Sequence, residues 1–177
     1  MKIMPPGIRK IALTTHVVCS VGWIGAVATF LVLAIAGLAS ADAQLVRAAY
    51  LGMNLIGWTV IFPLSLASLL SGIIQALGTV WGLFRHYWVL IKPLITALAS
   101  GLLLVHLQPV TRMAEIASGP DLGPGDMSGM RIQLVADAGA AVFALLVAAV
   151  LSVYKPRGLT RYGQARVERR QATAGST

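Results

Sequence analysis

Charge is scarce in this chain of 177 residues, and acidic charge most of all. Asp and Glu number 6 against 14 Lys and Arg, and charged residues make up only 11% of the sequence, where soluble domains carry about 25%. With 57% apolar residues and a mean hydropathy of +0.80, that scarcity excludes a disordered chain and argues against a soluble enzyme. Cysteine is nearly absent. Cys19 alone cannot close an internal disulfide, and neither a CxxC pair nor a Cys/His cluster at zinc-finger spacing occurs. Heptad runs and internal repeats are also missing. An excess of base would suggest nucleic acid in a soluble protein. Here the basic residues stand at the ends of apolar runs, so nucleic acid is set aside and the lipid bilayer is the expected partner.

What the chain does have is long apolar runs. About 20 apolar residues are needed for a helix to cross a hydrocarbon core of roughly 30 Å, and four segments qualify: residues 11–38, 51–77, 87–107 and 132–154. Runs of this length satisfy their backbone in lipid as helices. Turn chemistry separates them at residues 39–42, at 78–82 and in the Gly/Pro-rich stretch 118–125. The expected fold is therefore all-α, an up-down four-helix transmembrane bundle. Residues 1–10 form a short N-terminus, 11–154 the membrane domain and 155–177 a basic tail. Pro63 and Pro93 are expected to kink their helices.

Orientation follows from Lys and Arg. Lys2, Arg9, Lys10, Arg85, Lys155, Arg157, Arg161, Arg166, Arg169 and Arg170 fall on one side, and Arg47, Arg112 and Arg131 on the other. Both termini are expected in the cytoplasm, in a multi-pass protein of the cell's inner (plasma) membrane. The first run, with basic residues before it and Ala39-Ser40-Ala41 after it, has the order of a cleaved leader. Its 28 residues exceed the roughly 7–15 of a leader's apolar region, so a retained helix is the expectation. The basic tail is either a positive-inside anchor or a contact for anionic lipid, worth about 1 kcal/mol per basic residue near a charged leaflet.

Ionisable groups within a membrane segment are costly and usually face the bundle interior. Helical rise places His16 roughly 9 Å past Lys10 and Lys92 about 10 Å past Arg85, one shared depth on two helices, with His86 near its mouth. His106 lies about 21 Å beyond Lys92, on a second level with Asp137. His16 and His106 are thus too far apart in depth to share one metal. Around the helices, His16, Cys19, Ser20 and Trp23 share a face of the first. Ser68, Ser71, Gly72 and Gln75 share a face of the second, Lys92, Thr96, Ala99, Leu103 and His106 of the third, and Asp137, Ala140, Ala144 and Ala148 of the fourth. Each polar residue has a plain alternative. Lys92 can snorkel to the interface, His16 can bond a carbonyl or a serine, and His106 with Asp137 is either a neutralised structural pair or a proton relay. The tryptophans read as packing or interfacial anchors.

Two short motifs carry a resemblance. His16-Val-Val-Cys-Ser-Val-Gly-Trp23-Ile-Gly25 resembles the opening of the copper-resistance D family and of the HemJ-type membrane protoporphyrinogen oxidases. Tyr87-Trp88-Val89-Leu90-Ile91-Lys92, with His106 beyond it, resembles the same superfamily's aromatic-x-x-x-Lys segment. The whole, over residues 10–155, is similar to uncharacterised four-helix membrane proteins of actinobacteria. The HemJ-type resemblance implies b-type haem held by a first-helix His and a later-helix Lys, here His16 and Lys92, with His86 as substitute. After Gly25 the chain continues Ala-Val-Ala-Thr-Phe, without the Arg of that family. The copper-resistance resemblance implies metal handling at His16, although Met113, Met127 and Met130 are few for a copper relay. Three classes stay open: a haem-binding redox or haem-handling protein, a copper or small-solute transporter, and a cofactor-free subunit or scaffold that joins a membrane partner or a second copy of itself.

Overall fold

The structure is a computed structural model that describes residues 4–78, 87–119 and 128–154. Helix α1, Pro6–Ala39, begins on a proline, which fits a first turn because its missing N–H would have no partner there. It stops where Ser40 turns extended. Asp42 then caps the next helix, accepting the Gln44 N–H at 2.9 Å, a bond worth about 1 kcal/mol. This cap starts α2 at Ala43, ahead of the apolar run at 51–77, and lifts Arg47 onto the helix.

Helix α2, Ala43–Ile56, passes through the wide π-helical turn Gly57–Ile61 into α3, Phe62–Gly78. Pro63 explains the turn. Its ring would collide with the Thr59 carbonyl in a regular helix, and a π turn opens the backbone there. The rod runs unbroken over 36 residues, Ala43–Gly78. Helix α4, Tyr87–Ser118, carries both Pro93 and Pro109, and α5 spans Ser128–Tyr154. Helix therefore takes up both ends of the connection between the apolar runs 87–107 and 132–154.

Four helical rods, Pro6–Ala39, Ala43–Gly78, Pro93–Ser118 and Ser128–Ser152, are long and apolar enough to cross a membrane, and no strand occurs among the described residues. They pack as a four-helix bundle. Helix α1 lies against α2, α3 and α5, and α4 lies against the same three. Among the described residues α1 and α4 thus occupy opposite corners.

The bundle inverts the pattern of a soluble protein. Val18, Val21, Val32, Leu70, Leu98, Val105 and Phe143 are exposed, while Ser65, Ser68, Ser71, Ser100 and Arg131 are buried. Lipid tails are as apolar as leucine, so burial of apolar surface does not drive these helices together; close packing and interhelical hydrogen bonds do. Trp23, Phe30, Tyr50, Met53, Ile61, Met113 and Leu134 build the apolar centre. Close approach has a local requirement at Gly37, where a Cβ would lie 2.8 Å from Tyr50 Cζ. The outward apolar faces fit contact with a bilayer, and the chain reads as a multi-pass membrane protein.

Candidate functional site

The Met4 N–H donates to the Gly78 carbonyl at 3.2 Å, so α1 starts where α3 ends. Ten residues into α1, His16 meets α3. Its Nδ1 lies 3.1 Å from the Ser68 carbonyl oxygen and 3.1 Å from Ser71 Oγ. Proton logic assigns the tautomer of a neutral ring. A carbonyl oxygen can only accept, and the Ser71 hydroxyl donates to the Ala67 carbonyl at 2.6 Å, so Nδ1 carries the hydrogen. Nε2 then holds the lone pair.

The residues around His16 extend this seam. Ser20 and Ser68 share a hydroxyl hydrogen bond of 2.8 Å, and Gln75 Nε2 donates to the Ala12 carbonyl at 2.9 Å. Gly72 makes room for the imidazole, since a Cβ there would lie 3.1 Å from His16 Cε1. At an average of about 0.6 kcal/mol per interhelical hydrogen bond in a membrane bundle, three such bonds contribute roughly 2 kcal/mol. That is enough to set the register of α1 on α3 and too little to hold the bundle by itself. The polar faces expected on the first and second apolar runs are the two faces that meet here.

Lys92 lies on α4, the corner opposite α1; its side chain is outside the described residues, as is His86 altogether. No group of three or more His, Cys, Asp and Glu that could hold a metal ion occurs among the described residues. Cys19, on the His16 face, is a free thiol that is partly buried.

His106 and Asp137 form the second level. His106 Nε2 stands 3.0 Å from Asp137 Oδ2, with the two side chains 25% and 32% exposed. His106 Nδ1 lies 2.7 Å from the Leu102 carbonyl, which can only accept, so Nδ1 is again the protonated nitrogen. Nε2 and Oδ2 stand within ion-pair distance, although Oδ2 has no hydrogen-bond partner among the described residues. Pairing of this kind is how ionisable side chains are usually accommodated inside a membrane bundle.

Toward the same end of α4, features appear that apolar-run reasoning does not reach. Trp58 Nε1 donates to Thr111 Oγ1 at 3.3 Å, and Thr111 lies 2.9 Å from Asn54 Oδ1, which ties α2 to α4. The only forewarning is a lone Asn in an apolar run. Arg47 donates to the Gly119 carbonyl at 2.6 Å, closing the end of α4 as a cation does well at a helix C-terminus. Arg131, counted in the sequence with Arg47 and Arg112 on one side of the membrane, is 4% exposed. Its guanidinium carbon lies 5.8 Å from the centroid of the Tyr50 ring. The reason is local: α5 starts three residues earlier, so Arg131 belongs to its first turn and faces α2.

No protein-family model, no curated protein and no solved structure matches this chain.

Proposed function

We propose that the chain is an up-down bundle in the cell's inner membrane, with both termini cytoplasmic, that binds b-type haem beneath its cytoplasmic face. His16 would hold it together with Lys92 on the opposite helix α4, with His86 as the substitute for Lys92. The observation that carries this reading is the His16 Nδ1 bond to the Ser68 carbonyl at 3.1 Å. A ligating histidine almost always gives its second N–H to a carbonyl, carboxylate or water, which sets the tautomer and turns the other nitrogen to the iron. The donor set fits the group: haem takes an imidazole axially, and ligands on facing helices of a bundle are a common way to hold it.

When bound, b-type haem supplies one-electron chemistry to the site. The chain's own part is to hold the ring between α1 and α3 through Ser68 and Ser71. The basic tail 155–177 fits contact with an anionic cytoplasmic leaflet.

A second reading has an observation of its own. The His16, Ser20 and Gln75 bonds all join α1 to α3, which suits a cofactor-free subunit whose polar seam fastens two helices.

One experiment separates the two. Protein purified in detergent from haem-supplied cells is expected to show a Soret band that sharpens and shifts on dithionite reduction, and His16→Ala is expected to remove it. A colourless wild-type preparation of folded protein would reject haem and favour the fastening role.

A further inference from the structure

The end of the bundle where α2 and α5 begin holds polar groups that neither reading uses. Arg131 is 4% exposed, and its Nε is buried without a hydrogen-bond partner among the described residues. Tyr50 beside it is 0% exposed, and its hydroxyl is likewise buried without a partner. The phenol head lies close over Gly37, where a Cβ would lie 3.0 Å from the hydroxyl oxygen.

Among the described residues the charge of Arg131 is not matched. Among the described carboxylates, Asp137 faces His106, Asp42 accepts the Gln44 N–H and Glu115 is exposed. None stands within ion-pair distance of the guanidinium. A buried cation without a counter-charge is strongly unfavourable, and the face of one tyrosine offsets only part of that. Backbone adds charge of the same sign. Arg131 sits in the first turn of α5, where amide N–H groups lack helical partners and the helix dipole is positive, and that turn contains no acidic residue.

We infer that Arg131 and Tyr50, with the first turn of α5, form a binding site for a phosphate oxyanion at the end of the bundle remote from His16. A guanidinium offers a planar fork of N–H donors that matches phosphate oxygens, and the phenol adds one hydroxyl donor. A lipid headgroup and free phosphate present the same chemistry, so the test carries an arm for each.

The full chain is placed in phosphatidylcholine nanodiscs. In one arm inorganic phosphate is titrated at constant ionic strength against chloride; in the other the nanodiscs contain phosphatidic acid. Two signals are followed, the thermal unfolding midpoint, which rises when a ligand binds the folded state, and the Arg131 Nε–H resonance of 15N-arginine-labelled protein. Both are expected to move in at least one arm, and the arm that responds names the source. Arg131→Gln abolishes the response, and Tyr50→Phe weakens it about tenfold, the effect of roughly one hydrogen bond. Silence in both arms overturns the inference, as does a response in R131Q equal to that of the wild type. If R131Q does not fold, Y50F decides, and unchanged affinity there overturns it. A response that emerges only when Asp121 and Asp126 are both changed to Asn also overturns it, because the chain's own carboxylates then serve the cation.

Discussion

His16 on α1 and Ser68 on α3 are 52 positions apart in sequence, and a 3.1 Å contact joins the imidazole Nδ1 of one to the backbone carbonyl of the other. A carbonyl held in a helix cannot swing away, so it is a firmer anchor than a side-chain hydroxyl. Ser71 Oγ at the same distance shares the hydrogen. The ring is held at a defined angle by these two contacts.

Ser71→Ala should leave His16 bound to the Ser68 carbonyl and remove the second acceptor. Loss of such a supporting bond typically costs 10–100-fold in ligand affinity. Haem titration of the purified variant, followed at the Soret band, measures this, and affinity equal to wild type would show that Ser71 does not orient the ring.

Gly72→Ala places a methyl group 3.1 Å from His16 Cε1, close enough that the ring must shift. A clash of that kind costs roughly 1–3 kcal/mol. Thermal unfolding in detergent should record a lower midpoint, and any haem band should weaken with it. Gly72→Ala in a His16→Ala background should be nearly harmless, because the ring that it strikes is gone.

Changing one member of the pair His106 and Asp137 unbalances the charge between α4 and α5. Asp137→Asn and His106→Gln should each destabilise the bundle by about 1 kcal/mol. The double variant should fall short of the sum, since the two act as one unit. Equilibrium unfolding of all four proteins closes the cycle, and strict additivity would show the 3.0 Å contact to be energetically idle.

Gly37→Ala tests a close approach in the apolar centre. A Cβ 2.8 Å from Tyr50 Cζ must push the ring or spread α1 from α2, at a cost of about 1–3 kcal/mol. A fall in the thermal midpoint is expected. An unchanged midpoint would mean that α1 ends loosely enough to give way.

Topology is testable by labelling. With Cys19 replaced by Ala, a cysteine at position 122 should react with an impermeant maleimide on intact cells. A cysteine at position 177 should react only after permeabilisation. The reverse result would invert the orientation assigned from the distribution of Lys and Arg.

Sequence alone carried the class of this protein, because the arithmetic of crossing a bilayer is local. Some twenty apolar residues in a row need no partner to declare a membrane helix. For the same reason it supplied the polar faces that meet between α1 and α3, a matter of spacing within one run. It did not reach the helix ends, where Asp42 and the π turn before Pro63 act through backbone bonds that apolar runs do not register. Nor did it reach the pairings. That His16 would seat itself against Ser68, that Asn54 would find Thr111, and that Arg131 would bury itself on Tyr50 were settled only when four rods packed side by side. Lipid supplies no hydrophobic push between helices, so the choice of neighbour rests on close fit and a few hydrogen bonds between residues far apart in the chain, and those exist only in the assembled bundle.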